Sequence, residues 1–387
     1  MNRLWIILSF GVIAYVCQDV VFPDDYEIYN RFEETGSTPG TLQQSFKFDD
    51  FIKSNELLAA DLYRELRKVN SGNFLICPYS LHIIFSFVHA GAREKTSREI
   101  AKALHIPDDT TKIQDIIRNI SLNVFNQYTL TNVNKVYLAN RFRINNNFKN
   151  IAQNVFKADI ENVDFSQNEE AAHKINQWVQ TETKNTIKDL IDKEYLDANV
   201  VSVMINALYF NADWMEPFDS MYTRTLNFFV SAEKKVDVEM MICSQYSYWY
   251  NNEALDATFL ELPYQGYEVT MTVVLPNKID GLSLLERNIE KVLELQPLTQ
   301  SQSEFTISLP KFKMETSILL KEIFQNLGIK DAFTRNANFS GMTAVAEHNI
   351  FISHAIQKNF IQVTEKGTTA GAATGVGKSS LFCFFCL

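Results

Sequence analysis

Apolar residues fall four apart from Phe51 onward, at Leu58, Leu62 and Leu66, with charged side chains between them. That spacing predicts an amphipathic helix, closed by Gly72 and Pro78. A second helix follows Pro78 through Leu81, Ile84, Phe85 and Val88 to Gly91, and a third surrounds Ile175, Trp178 and Val179. The second half of the chain changes period. Residues 200–210 form a nearly unbroken apolar run interrupted at Asn206, and residues 269–275 are rich in β-branched side chains up to Pro276. Phe305, Ile307 and Leu309 alternate with Thr306 and Ser308 until Pro310. These three runs predict strands. Residues 319–327 turn helical again and close at Gly328. With no repeat, no long linker and no βαβ rhythm, the pattern predicts a single α+β domain.

Composition narrows the function classes. In 387 residues, a hydrophobic share of 46% with 29 Phe supplies apolar surface for one large core. The net charge of −10 comes without any dense Lys/Arg run, which argues against a nucleic-acid or heparin-type partner. Arg3 precedes an apolar run over residues 4–16, and Val12-Ile13-Ala14 suits cleavage, so residues 1–14 read as a signal peptide and the protein as secreted and extracellular. An uncleaved anchor or a buried strand is the alternative. The run is too short to span a bilayer, and no membrane partner is expected. Residues 15–46 are acidic and turn-rich and read as a mobile extension, with residues 47–387 as the folded domain. Two sequons make Asn119 and Asn338 glycosylation candidates.

Candidate chemistry is sparse. Cys17, Cys77, Cys243, Cys383 and Cys386 are too scattered for a disulfide framework. The C-x-x-C of Cys383 and Cys386 has no second Cys or His pair nearby and reads as fortuitous. There is no G-x-S-x-G, no H-E-x-x-H and no His cluster, so no catalytic residue, metal or cofactor is expected. Residues 372–379 fit a loose phosphate-loop pattern ending in Gly377-Lys378-Ser379. Such a loop works only where a helix follows and aims its N–H groups at phosphate, and residues 380–387 are a poor start for one.

Six stretches carry a resemblance when read in order. Asn73-Phe74-Leu75-Ile76-Cys77-Pro78-Tyr79-Ser80-Leu81 leads to Gly91-Ala92-Arg93, and Ile175-Asn176-Gln177-Trp178-Val179 precedes Thr183. Asn206-Ala207-Leu208-Tyr209-Phe210 runs on to Trp214 and Pro217-Phe218, and Leu262-Pro263-Tyr264 precedes Val274-Leu275-Pro276. Leu309-Pro310-Lys311-Phe312 precedes Leu327-Gly328-Ile329, and Phe360 leads into Glu365-Lys366-Gly367-Thr368. In this order and spacing, over roughly residues 50–376, the chain resembles the serpins, secreted arthropod members in particular. The resemblance implies a monomeric single domain with three β-sheets, about nine helices and an exposed reactive loop. It implies a serine protease as partner. The protease cleaves the loop and is trapped as the loop enters the main sheet, a recognised case of strand addition. A non-inhibitory carrier or an inactive truncated form is the alternative.

The residues after Phe360 suit that motion. Glu365, Lys366, Gly367, Thr368, Thr369, Ala370, Gly371, Ala372 and Ala373 form the expected hinge. From Gly367 to Gly377, both faces of an extended strand would be slim and uncharged, which lowers the cost of burial between two strands, and Lys378 falls on the face of Thr368. Gly367 offers the backbone freedom of a hinge. Family spacing from Glu365 puts the bait bond at Leu381-Phe382, suiting a chymotrypsin- or elastase-like enzyme. A slipped register would make it Lys378-Ser379, for a trypsin-like one. By resemblance, Cys77, Ser80, Asn206 and Gln357 lie where the sheet opens, with Trp214 at its top. The family usually has Ser at the first of these and His at the last. The family also continues well past the loop, with an edge strand and two central strands. Residues 380–387 do not resemble that continuation, so an exposed apolar surface is expected.

Overall fold

The computed structural model describes residues 2–8, 12–18, 46–121, 128–267, 269–294, 302–344, 350–370 and 384–386. The first half of the chain contains β1 (Asn2–Leu8), β2 (Val12–Gln18), α1 (Phe48–Val69), β3 (Phe74–Ile76), α2 (Pro78–Gly91), α3 (Glu94–Ala103), α4 (Thr110–Ser121), β4 (Tyr128–Ala139), α5 (Asn146–Asn154), β5 (Ala158–Val163) and α6 (Asn168–Glu182). The second half contains β6 (Ser202–Asp213), β7 (Arg224–Phe229), β8 (Lys235–Asn252), β9 (Ala257–Pro263), β10 (Thr270–Pro276), α7 (Leu282–Arg287), α8 (Ile289–Leu293), β11 (Gln302–Pro310), β12 (Phe312–Leu319), α9 (Leu320–Asn326), β13 (His354–Val363), β14 (Gly367–Ala370) and β15 (Phe384–Cys386).

Local sequence explains the principal elements. Helix α1 carries Asp49 and Asp50 in its first turn and Arg67 and Lys68 in its last, opposite to the ends of its dipole. Helix α2 opens on Pro78, which needs no N–H partner there, and every one of its residues is buried. It forms the centre of the core, with Phe85 stacked on Phe324 of α9 at 3.8 Å between ring centroids and Phe87 on Phe148 of α5 at 4.8 Å. Helix α9 ends at Asn326 with Leu327 as its C-cap, and Gly328 follows with a φ of 106° that a side chain would resist.

Three sheets are described. The main sheet has six strands in the order β12-β13-β14-β6-β4-β5. A second runs β1-β2-β10-β9-β8-β11 with β7 beside β8, and a third pairs β15 with β3. Together with nine α-helices among the described residues, this is the expected mixed α+β domain. The 18-residue strand β8 escapes a period-two reading because its burial alternates only in part as it passes from β7 and β11 to β9.

Both chain ends contribute strands. Residues 2–8 and 12–18 pair with each other, and Tyr15 lies opposite Thr272 at the edge of β10. Phe384 lies opposite Ile76 of β3. Residues 384–386 thus lie in a two-stranded sheet with β3, and residues 2–8 and 12–18 join the second sheet through β10. An open apolar groove of about 690 Å³ lies on the second sheet, lined by Phe228, Met240, Leu260, Val273, Ile307 and Leu309 among others.

Candidate functional site

The main sheet holds two geometries along one seam. At its lower end β13 and β6 are parallel neighbours, from His354 opposite Val203 to Asn359 opposite Leu208. At its upper end they part and β14 fills the gap. Thr368 and Thr369 lie opposite Val363 and Gln362 on one side, and Gly367 to Ala370 lie opposite Asp213 to Phe210 on the other. Residues Gly367–Ala370 are therefore a short strand, bonded on both edges and lying above the stretch where the two neighbours pair with each other.

Its entry is tightly held. The ring N–H of Trp214 donates to the Thr364 carbonyl at 2.9 Å, and the Trp214 and Phe218 backbone N–H groups donate to the carbonyls of Lys366 and Glu365. Trp214 is buried and stacks on Tyr264 with centroids 4.5 Å apart, so it is both core packing and an anchor for the turn before the hinge. Tyr264 in turn donates its phenol to Thr368 Oγ1 at 2.7 Å, and burial pushes that phenol's pKa up, keeping the proton in place. On the outer side Thr369 Oγ1 donates to Asn211 Oδ1 at 2.9 Å.

Glu365 receives the Thr223 hydroxyl at 3.0 Å and the Lys311 ammonium at 3.2 Å. Burial alone would raise its pKa, but hydrogen bonds from its own backbone, Thr223 and Lys311 outweigh this and hold it below the usual carboxylate range. Lys366 is exposed and paired with Asp213 at 3.0 Å. Gly367 is required for a reason other than the backbone freedom expected of it. Its φ is not in the left-handed region. A Cβ would instead sit 2.2 Å from the Ala212 carbonyl oxygen.

Below the hinge lies a buried polar cluster. Gln357 and Asn206 are opposite one another across β13 and β6, and the Gln357 amide donates to Asn206 Oδ1 at 2.5 Å. It also donates to the Cys77 carbonyl at 3.2 Å, and the Cys77 N–H returns a bond to Gln357 Oε1 at 3.1 Å. Asn206 Nδ2 donates to the Ser80 carbonyl, the Ser80 hydroxyl and Asn134 Oδ1. Asn359 Nδ2 donates to Gln357 Oε1 at 2.8 Å and to the Leu75 carbonyl at 3.1 Å. The expected set of Cys77, Ser80, Asn206 and Gln357 is therefore one network, and Asn134 and Asn359 belong to it too. Nothing in the spacing of these two amides along the sequence signalled that they would be buried here.

One expectation is corrected. The weakly bonding thiol expected at Cys77 is instead tied in a disulfide, so scatter along the sequence did not keep the cysteines apart in space. Cys77 serves the cluster through its backbone.

Asn119 lies on α4. Asn338 Nδ2 donates to Glu94 at 3.3 Å and its Oδ1 accepts from the Ser340 N–H, so a glycan at Asn338 would displace the first contact. Gly371, Ala372, Ala373, the phosphate-loop pattern and both bait bonds, Lys378-Ser379 and Leu381-Phe382, lie outside the described residues, as does most of the acidic extension.

A further cluster imitates a catalytic triad. Ser97 Oγ and Asp108 Oδ1 lie 2.9 and 3.0 Å from His89, but both approach the same nitrogen, Nε2. A Ser–His–Asp relay needs the acid on the nitrogen away from the hydroxyl, so this is a structural tie between α2, α3 and the loop after α3.

Comparison with known proteins agrees with this geometry. The family model "Serpin (serine protease inhibitor)" matches residues 53–383. The chain is 32% identical to alaserpin of Manduca sexta over 330 residues, covering 84% of each chain. It is 32% identical to antichymotrypsin-2 of Bombyx mori over 324 residues, covering 82% of this chain and 86% of that one. The crystal structure of a highly specific serpin of the insect Tenebrio molitor superposes with a TM-score of 0.78 at 34% identity, over 89% of this chain and 93% of that one. The chain belongs to the serpin family and resembles its arthropod members. Its kinship is with serine protease inhibitors, which act on enzymes rather than as enzymes.

Proposed function

We propose that this chain is a secreted inhibitor that traps a serine protease by inserting its cleaved loop into the main sheet. The observation that carries the reading is the placement of Gly367 to Ala370 between β13 and β6. Only the seam below, closed by the Gln357–Asn206 bond, separates this state from a longer inserted strand. Insertion would give each added residue hydrogen bonds on two sides, and β13 and β6 would become antiparallel neighbours of a new central strand. The slim residues after Ala370 keep the steric cost of that step low.

The target is a chymotrypsin- or elastase-like protease acting at Leu381-Phe382. The secreted location rests on the N-terminal pattern of Arg3 and the apolar run after it. The test is incubation of the purified chain with chymotrypsin, pancreatic elastase and trypsin, followed by denaturing electrophoresis. A complex stable to SDS with one of the first two is expected. A complex with trypsin alone would move the bait bond to Lys378-Ser379. Cleavage by all three with no complex would overturn the inhibitor reading and leave a carrier.

A further inference from the structure

The groove on the second sheet has a regular floor and one polar end. Trp249, Leu260 and Val273 form a single row across β8, β9 and β10, with Leu260 opposite both of the others. In the next row Thr258 stands opposite Leu275. Ile307 and Leu309 of β11 also line the groove, so it reaches over four neighbouring strands, roughly 14 Å at ordinary strand spacing. Its rim is exposed apolar surface: Phe229 is 49% exposed, Leu275 51% and Ile279 53%. Large apolar side chains gathered around a cavity of about 690 Å³ suit an apolar molecule of small-ligand size.

Charge narrows the class of that molecule. The chain carries a net −10, yet no Asp or Glu lines the groove. The one cation in the lining, Lys278, is bound to Asp256 at 2.7 Å, and the Asp280 charge acts on it as well. A carboxylate head would have to displace those two carboxylates, and an ammonium head would find no anion in the lining. Either ion would lose water without a partner to replace it, so the occupant is uncharged.

The polar end asks for a donor. Thr258 Oγ1 donates to Asn277 Oδ1 at 3.0 Å. The Asn277 amide donates in turn to Asn251 Oδ1 at 3.0 Å and to Asp256 Oδ1 at 3.2 Å. A hydroxyl has one proton and two lone pairs, so with its proton held by Asn277 the Thr258 oxygen is left to accept. An alcohol can meet that oxygen with its own O–H. An ester or an aldehyde, which only accepts, cannot.

We propose that this groove binds an uncharged long-chain aliphatic alcohol, its chain lying across the row of Trp249, Leu260 and Val273 and its hydroxyl donating to Thr258. Burial of the chain supplies the affinity, and the Thr258 bond selects the head group. The site is formed by β7 to β11 and the turn after β10, and no residue of the hinge takes part in it. It does not rest on the inhibitor reading.

The experiment titrates the full chain with the uncharged fluorophore N-phenyl-1-naphthylamine and then displaces it. Saturable binding of one probe per chain, displaced by dodecan-1-ol, is expected. Dodecyl acetate, dodecanoate and dodecyltrimethylammonium should displace it about three- to tenfold more weakly, the ratio one hydrogen bond supports. Thr258→Val should keep probe binding and narrow the gap between alcohol and acetate. Leu275→Asp and Ile279→Asp put a charge on the exposed rim and should weaken the probe. Val69→Asp, at a residue 77% exposed at the end of α1, should not. No saturable binding, equal displacement by alcohol and acetate, or rim variants that bind like wild type would overturn the proposal. So would a dimer in sedimentation that excludes the probe, which would assign the groove to a second copy of the chain. A protease complex, formed or not, bears on none of these readouts.

Discussion

The phenol of Tyr264 donates to the hydroxyl of Thr368 at 2.7 Å, joining the residue just after β9 to β14. Both side chains are buried, and Tyr264 is also stacked on Trp214. Thr368→Val keeps the volume and removes the acceptor, leaving a buried phenol with no partner there. The variant should lose about 1–3 kcal/mol of stability in urea unfolding. The hinge should also become easier to cut. An unchanged midpoint would show that this bond does not hold the hinge.

Gly367→Ala sets a methyl group 2.2 Å from the Ala212 carbonyl oxygen, which is backbone and cannot swing away. The strand should be expelled from the seam, at a cost of about 1–3 kcal/mol. Hydrogen exchange should then report faster exchange at Thr368, Thr369 and the facing residues of β6, with β12 unaffected.

The Gln357 side chain satisfies Asn206, Asn359 and both backbone groups of Cys77. Gln357→Leu leaves these buried groups unpaired and should lower stability by more than about 3 kcal/mol. Gln357→His retains a donor and an acceptor and should fall in between. Equal thermal midpoints for Gln357→His, Gln357→Leu and wild type would show that the position carries no latch energy.

His82 sits in the core of α2, against Phe51 at 4.6 Å and bonded to Ser54 and Ser86. Burial lowers its pKa from 6.5 to about 3, so the folded chain keeps it neutral where the unfolded chain protonates it. The folded pKa is depressed, so the unfolded state binds more protons between those values and stability falls with pH. The expected loss is about 1.4 kcal/mol per pH unit once below the unfolded pKa. Glu365 contributes in a lower window. Its folded pKa is also depressed, so its stabilising contacts are complete above the ordinary carboxylate range and are lost as pH falls through its lowered pKa. Urea midpoints at pH 7.5, 6 and 5 should decline for wild type and much less for His82→Gln. Parallel declines would remove His82 as the cause.

Much of the fold was written in the local pattern. The four-residue spacing of Leu58, Leu62 and Leu66 and the Pro78 start gave α1 and α2, because helix period and capping are local properties. Strand β6 was visible as an apolar run because it is buried on both faces. The slim side chains from Gly367 onward were legible, but the backbone freedom expected of Gly367 is not what its place requires. Close approach of the Ala212 carbonyl belongs to a neighbouring strand, and no residue around Gly367 announces it.

The polar cluster was half legible. Asn206 interrupts an apolar run and so stood out. Asn134 and Asn359 lie among mixed residues, and nothing in their spacing marks them as buried together. Nor does sequence separation show that Cys77 is within reach of a partner.

By itself the sequence determined α1, α2, α6, α9, β6, β10 and β11, and the slimness of the side chains over residues 367–377. Those outcomes depend on period, side-chain volume and capping within a few residues. Tertiary structure alone decided that β14 already occupies the upper seam, that Tyr264 and Trp214 hold its entry, and that Gln357 closes the seam below. These contacts join residues more than a hundred positions apart. Their geometry exists only once the sheet is assembled and its buried donors must find acceptors.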